Sequence, residues 1–187
     1  MIYVKANCFG YVDVENYLKK LVYFPIMNTY YDHISEGYEE LHKKEQLKKV
    51  KLISKFLKPK PEEKLLDVGC GTGLTTEPWK CKRYGIDPAK KLLAKARKKQ
   101  EIEYKLAPAE KIPYSDNFFD IVISITAIQN FKNIEKGLKE IKRVGKDRFV
   151  LTFLKKSSKK EFIENKIKEL FKVKKIIEEE KDIIFIM

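Results

Sequence analysis

The chain has 187 residues, 43% of them apolar, and a formal net charge of +13. Its length suits one domain with a real core, taken as residues 1–187, and its apolar fraction excludes a disordered chain. No apolar run approaches the roughly 20 residues of a spanning helix, so no membrane is expected as a partner.

In chain order, residues 1–27 form a preamble rich in aromatic residues (Tyr3, Phe9, Tyr11, Tyr17, Tyr23, Phe24). The stretch Val14–Val22 predicts a short amphipathic helix ending near Pro25. Residues 28–187 read as the core. A longer helix is predicted over 31–57, where Leu41, Leu47, Val50, Leu52, Ile53, Phe56 and Leu57 fall mostly on one face, and Pro59 and Pro61 end it. Strands follow at Lys64–Val68 and Arg83–Asp87, then a helix from Pro88 to about Lys99 and a third strand over Glu103–Ala107. Phe119–Ile125 is nearly continuously apolar, the mark of a parallel strand buried on both faces. A helix carrying Ile134, Leu138 and Ile141 comes next, then a strand over Asp147–Phe153 and a helix carrying Phe162, Ile163, Ile167, Leu170 and Phe171. Two strand-like runs, 172–179 and 182–187, close the chain with too few residues between them for a helix. Alternation of strand and helix implies an α/β fold with a doubly wound parallel sheet. The terminal hairpin forces at least one antiparallel strand.

The first of these strands runs into Asp67-Val68-Gly69-Cys70-Gly71-Thr72-Gly73. Glycines admit positive φ and let a ligand lie against bare backbone. A helix opening there would offer unpaired N–H groups to an anionic ligand. A tight turn uses the same residues, so the motif alone does not decide. Asp87 adds to it: this residue ends the next strand, 20 positions after Asp67, where a carboxylate can accept from both hydroxyls of a ribose. It can also cap the helix predicted at Pro88. The spacing is GxGxG without the third glycine of the dehydrogenase fingerprint, and no GK[ST] marks a phosphate loop.

Leu65–Gly73, Gly85–Pro88, Ala109–Tyr114 and Phe118–Ser124 together resemble, in order and spacing, the signature of the class I S-adenosylmethionine-dependent methyltransferases. The resemblance covers roughly residues 30–187. It implies the Rossmann-like methyltransferase fold, a mostly parallel seven-stranded sheet with a C-terminal antiparallel hairpin. It implies S-adenosylmethionine as cofactor, with Gly69, Gly71 and Gly73 cradling its methionine and ribose parts and Asp67 helping to hold it. Asp87 is then placed at the ribose diol and Ala109 and Glu110 beside the adenine, with Ser124 in the same cofactor set. Tyr30 and Tyr31 resemble an aromatic lid. Two features depart from the family: Pro108 stands where an Asp usually contacts the adenine, and the stretch from Gly73 to Tyr84 is short and broken by Pro78, so its helix is expected to have two turns or be irregular.

Methyl transfer from a sulfonium can proceed largely by orientation of the acceptor, without an acid or base. The predicted acceptor side is Ser124, Thr126, Gln129 and Asn130, beyond the end of the fourth strand. The plainer reading makes Asn130 and Asn133 helix caps and Ser124 a satisfied buried hydroxyl. The segment lacks the Asn/Asp-Pro-Pro-Tyr/Phe box of amino-methylating enzymes. It also looks somewhat like the corresponding stretch of eukaryotic small-subunit rRNA guanine-N7 methyltransferases. Gln129, Asn130 and His33 are the catalytic candidates; His33 and His42 are the only histidines.

With 36 Lys and 4 Arg, the charge suits either a polyanionic partner such as RNA or a thermophile-like composition. Scarce arginine counts against specific base readout. The paired lysines (Lys43-Lys44, Lys48-Lys49, Lys90-Lys91, Lys98-Lys99, Lys155-Lys156, Lys159-Lys160) are expected mostly on helices, on solvated faces. Three cysteines in no metal-binding arrangement, with no signal-peptide pattern, point to the cytoplasm and to no bound metal. Two functional classes follow: an enzyme that methylates a small molecule or RNA, or a non-catalytic S-adenosylmethionine-binding partner that serves as a structural subunit of a complex. The aromatic preamble would be a lid, or an interface to a protein partner or a second copy.

Overall fold

A computed structural model describes the backbone of Tyr3–Lys5, Tyr11–Asp13 and residues 38–96 and 101–187, with side chains from residue 43 onward outside 97–100. In chain order the elements are β1 (Tyr3–Lys5), β2 (Tyr11–Asp13), α1 (Tyr38–Ile53), β3 (Lys64–Val68), β4 (Lys82–Asp87) and α2 (Lys90–Ala96). They continue with β5 (Ile102–Leu106), β6 (Phe119–Ser124), α3 (Ile134–Val144), β7 (Gly145–Leu154), α4 (Lys160–Leu170), β8 (Lys175–Glu178) and β9 (Asp182–Ile186). The helix expected over Val14–Val22 lies outside the described residues, as do Tyr30, Tyr31 and His33. Nearer the start, β1 and β2 pair antiparallel.

The main sheet has seven strands in the order β5-β4-β3-β6-β7-β9-β8. Its first five strands are parallel, and β9 runs antiparallel to both β7 and β8. The expected sheet and its terminal hairpin are both present. From β3 the chain steps outward through β4 to β5, then returns to the other side of β3 as β6. That reversal opens a crevice beyond the carboxyl ends of β3 and β6, the ordinary ligand position of an open α/β sheet.

Period-two alternation sorts the core onto two faces. Leu65, Ile121, Ile123, Val150 and Ile184 meet Val50, Ile53 and Leu57 of the α1 region. Leu66, Val68, Val122, Leu151 and Phe185 meet Leu138 and Ile141 of α3 and Ile163 and Ile167 of α4. Both faces of the central strands are thereby covered, which is why their sequences read as continuous apolar runs.

The helix expected after the glycine turn does not form: between β3 and β4 the described backbone is a series of turns. Gly71 and Gly73 have φ of +54° and +84°, which interrupt a right-handed helix, and Pro78 removes a donor. Trp79 does the covering instead. Its ring is buried among Leu65, Ile121 and Ile123, and its Nε1 donates to the Thr75 carbonyl at 2.8 Å.

Candidate active site

At the switch point lies a cavity of about 450 Å³, its walls taken from the turns after β3, β4, β5 and β6. Gly69 and Gly71 form its floor. Asp87, Pro88, Ala89 and Leu92 form one side, and Leu106 to Glu110 the next. Ile125, Thr126, Ala127, Asn130, Phe131 and Lys132 close the third.

Each glycine of the turn is required by its conformation, with φ of +80°, +54° and +84° at Gly69, Gly71 and Gly73. Gly69 has a second requirement: a Cβ there would lie 2.5 Å from the Cβ of Ala127. The turn after β3 and the turn after β6 therefore touch backbone to side chain, and the close approach shapes the floor. Gly73 does not line the cavity; a Cβ on it would strike the hydroxyl of Tyr104.

The two carboxylates are held differently. Asp87 Oδ2 accepts from the Gly71 amide at 2.9 Å and Oδ1 from the Ala89 amide at 2.7 Å. It caps the start of the next segment and faces the cavity at once, so the two readings of this residue coexist. A carboxylate oxygen accepts more than one donor, so both remain competent toward a diol. Asp67 is fully buried below the floor, its Oδ2 accepting from Thr75 Oγ1 at 2.6 Å and Thr76 Oγ1 at 2.8 Å. Its Oδ1 is buried with no hydrogen-bond partner. Burial pushes the Asp67 carboxyl up to about 6, against the two threonine hydroxyls, with Asp87 adding to the rise. A buried carboxylate oxygen without a donor is costly. Unlike Asp87, Asp67 does not line the cavity; it lies beneath the turn that does.

The other expected residues are distributed as follows. Ala109 and Glu110 line the cavity, and Glu110 Oε1 also accepts from the Asn133 amide at 2.9 Å. Asn130 lines it; Gln129 does not, and its Nε2 donates to the Thr126 carbonyl at 2.8 Å. The Ser124 hydroxyl is fully buried and donates to the Val68 carbonyl at 2.8 Å, tying β6 to β3. Asn133 caps α3, accepting from the Lys136 amide at 2.9 Å. His42 is in α1, while Tyr31 and His33 lie outside the described residues. Among the described residues, no cluster of His, Cys, Asp or Glu could hold a metal.

Thr126 is the unusual backbone position of the wall. Its φ is +57°, a conformation that a β-branched residue adopts at a cost of about 1–3 kcal/mol. Its hydroxyl donates to Asp182 Oδ2 at 2.6 Å and accepts from Lys49 Nζ at 2.9 Å, and its amide donates to Thr152 Oγ1 at 2.8 Å. The expectation of a solvated Lys48-Lys49 pair needs correction: Lys48 is exposed, but Lys49 is completely buried. In a helix that also carries Lys43, Lys44 and Lys51, no sequence signal distinguishes the one lysine that turns inward toward Asp182.

Residues 66–152 match the methyltransferase domain family. Among curated proteins, the chain is 31% identical over 129 residues to an uncharacterized protein of Methanocaldococcus jannaschii, covering 68% of this chain and 50% of that protein. It is 38% identical over 99 residues to the demethylmenaquinone methyltransferase of Chlorobaculum tepidum, covering 50% of this chain and 41% of that enzyme. The chain thus spans half or less of the length of these relatives. A solved structure of a SAM-dependent methyltransferase from Aquifex aeolicus shares the fold at a TM-score of 0.63 and 21% identity, over 73% of this chain and 86% of that one.

Proposed function

We propose that the chain is a class I S-adenosylmethionine-dependent methyltransferase, whose cavity binds S-adenosylmethionine and directs the donor methyl to an acceptor held against the wall after β6; the methyltransferase-domain match and the methyltransferase relatives support this reading. The observation that carries this reading is the convergence of the two aspartates on one glycine turn. Asp87 faces the cavity with both oxygens pinned, and Asp67 presents an unsatisfied oxygen beneath the same floor. A nucleoside whose ribose diol meets Asp87 and whose ammonium end lies over the glycine turn, with the Asp67 charge beneath it, fits that arrangement. Bound there, S-adenosylmethionine would supply a methyl group already activated by its sulfonium.

The residues of this chain then bind, orient and exclude water. Asp87 accepts from the ribose hydroxyls, and Asp67, buried beneath the glycine turn, braces that turn through Thr75 and Thr76 and puts its negative charge under the amino-acid end. Pro88, Leu106 and Ala109 provide an apolar slot for the base, with Pro108 leaving recognition of its polar edge to backbone and to Glu110. Asn130, the candidate of the acceptor side that reaches the cavity, orients the acceptor. Orientation of this kind supplies several kcal/mol without proton transfer.

For the acceptor we favour a small organic molecule over RNA. The Chlorobaculum relative is named for a quinone acceptor, and Ile125, Ala127 and Phe131 give the acceptor-side wall an apolar half. Residues 1–27 are proposed as a lid over this site or as an interface, Tyr31 as part of an aromatic lid over the cofactor, and His33 as a catalytic candidate. Deleting 1–27 separates these roles: loss of a dimer with intact donor binding identifies an interface, and loss of turnover in a monomer identifies a lid. No helix among the described residues is long and apolar enough to cross a membrane. Free Cys70 and Cys81 suit a reducing cytoplasm.

The deciding experiment incubates the full chain with methyl-labelled S-adenosylmethionine and fractionated cell extract. Label in a small-molecule fraction is the expected result, and label in RNA would transfer the assignment to that substrate. Calorimetric binding of S-adenosylmethionine with no label in any fraction would favour the non-catalytic, structural role.

A further inference from the structure

Lys49 and Asp182 come from α1 and β9, nearly the whole length of the core apart in sequence, and both side chains are completely buried. Lys49 Nζ lies 3.1 Å from Asp182 Oδ1, an ion-pair contact that is not aligned as a hydrogen bond. Around them, Asp182 Oδ2 accepts from Thr126 Oγ1 at 2.6 Å and Thr152 Oγ1 at 2.9 Å, and Lys49 Nζ donates to Glu45 Oε1 at 2.8 Å. Burial pushes Glu45 up, but hydrogen bonds from Lys181 and Lys49 outweigh it and bring the carboxyl down to about 2. The cation is therefore held between two carboxyl groups and one threonine hydroxyl.

A buried ion pair contributes little to fold stability compared with an apolar pair of similar volume. What this one does contribute is a fixed direction at Thr126. The hydroxyl of that residue is gripped by both charged groups and its amide by Thr152, while its φ is +57°. Left without those bonds, a threonine relaxes to negative φ. The turn that follows depends on it: the Thr126 carbonyl accepts from Gln129 Nε2 at 2.8 Å, and the neighbouring Ala127 carbonyl accepts from the Asn130 amide at 2.9 Å. That turn, Ile128–Asn130, delivers Asn130 to the cavity wall.

We infer that Lys49 and Asp182 are positioning residues of the acceptor wall, holding Thr126 in its left-handed conformation and through it setting the place of Asn130. This rests on the methyltransferase reading of the cavity. The donor half of the cavity, built on Gly69, Gly71 and Asp87, makes none of these bonds and meets this turn through the Gly69–Ala127 approach, so the pair acts far more on transfer than on donor binding.

The test compares three variants with the wild type: Thr126→Val, which keeps the shape and removes the hydroxyl; Thr126→Ser, which keeps the hydroxyl; and Lys49→Met/Asp182→Leu, which removes both charges together. Each is assayed for calorimetric binding of S-adenosylmethionine and for initial rate of labelled-methyl transfer into the extract fraction that the wild type labels. Thr126→Val and the double variant are expected to lose at least tenfold in transfer with donor affinity within threefold, and Thr126→Ser to transfer within twofold of wild type. Wild-type transfer by Thr126→Val overturns the inference, as does parallel loss of donor binding, which would mark a merely structural role. Should the double variant not fold, the valine and serine substitutions decide. A crystal structure of Thr126→Val with position 126 still left-handed and Asn130 in place would also overturn it. A wild-type chain that binds no S-adenosylmethionine, or labels no fraction, overturns the parent reading and this inference with it.

Discussion

The backbone amide of Gly71 donates to Asp87 Oδ2 at 2.9 Å, joining the turn after β3 to the tip of β4. The glycine turn and the acidic strand end are thus one unit. The carboxylate cannot swing away without freeing two amides, those of Gly71 and Ala89. A ligand diol meets a carboxylate that is already oriented, which lowers the ordering cost of binding.

Asp87→Ala is accordingly expected to weaken S-adenosylmethionine binding by tenfold or more. Hydrogen bonds to a charged group contribute about 1.5–3 kcal/mol, and about 1.4 kcal/mol corresponds to tenfold. Isothermal calorimetry checks it, and unchanged affinity would sink the assignment of the diol site.

Gly69→Ala places a methyl 2.5 Å from the Ala127 Cβ on a backbone with φ of +80°. Left-handed backbone at a non-glycine residue costs about 1–2 kcal/mol before the contact is counted. A lower melting temperature and weakened donor binding are expected. Adding Ala127→Gly removes the contact but not the backbone cost, so the double variant should recover part of the loss and not all of it.

Asp67 gives a pH dependence with a definite sign. Its folded pKa is about 6 against an ordinary 3.8, so the folded state holds this proton more tightly than the unfolded chain. The contribution is fully present below the unfolded value and is lost as pH rises through about 4 to 6, an effect of about 3 kcal/mol at most. Asp67→Asn should flatten the decline in stability of the ligand-free protein over that window, measured by urea unfolding at several pH values. A cationic ligand end beside Asp67 favours the ionised form, so donor affinity should rise across the same window in the wild type and not in Asp67→Asn.

Transfer to a small acceptor should respond weakly to salt. An RNA acceptor held through phosphates would lose affinity steeply, by orders of magnitude between about 50 and 200 mM. Initial rates measured across that range with the labelled fraction decide between them.

The strands were legible because Leu65-Leu66 and Phe119–Ile125 are apolar over short stretches bounded by glycine, proline or polar residues, and their order follows from alternation with helices. Gly69, Gly71 and Asp87 were legible for a related reason. Backbone with positive φ and a strand-end carboxylate are local demands that leave local marks. The turns between Gly73 and Lys82 were half legible: Pro78 marked an interruption, but nothing local showed that Trp79 would take the place of a helix against the sheet. Ser124 was ambiguous, since a hydroxyl at a strand end serves a ligand or a neighbouring carbonyl equally well until the neighbour's position is known. The structure turns it to Val68.

By itself, the sequence determined the parallel sheet with its terminal hairpin and the glycine turn with its paired acid. Periodicity, glycine and strand-end charge each act over a few residues, so each is written where it acts. Tertiary structure alone decided that Gly71 binds Asp87 as a single unit, and that Gly69 lies against Ala127. It alone decided that one lysine of a lysine-rich helix is buried against Asp182 to grip Thr126. Those relations join residues from separate elements. A buried charge and a solvated one are the same letter until the chain has folded around them.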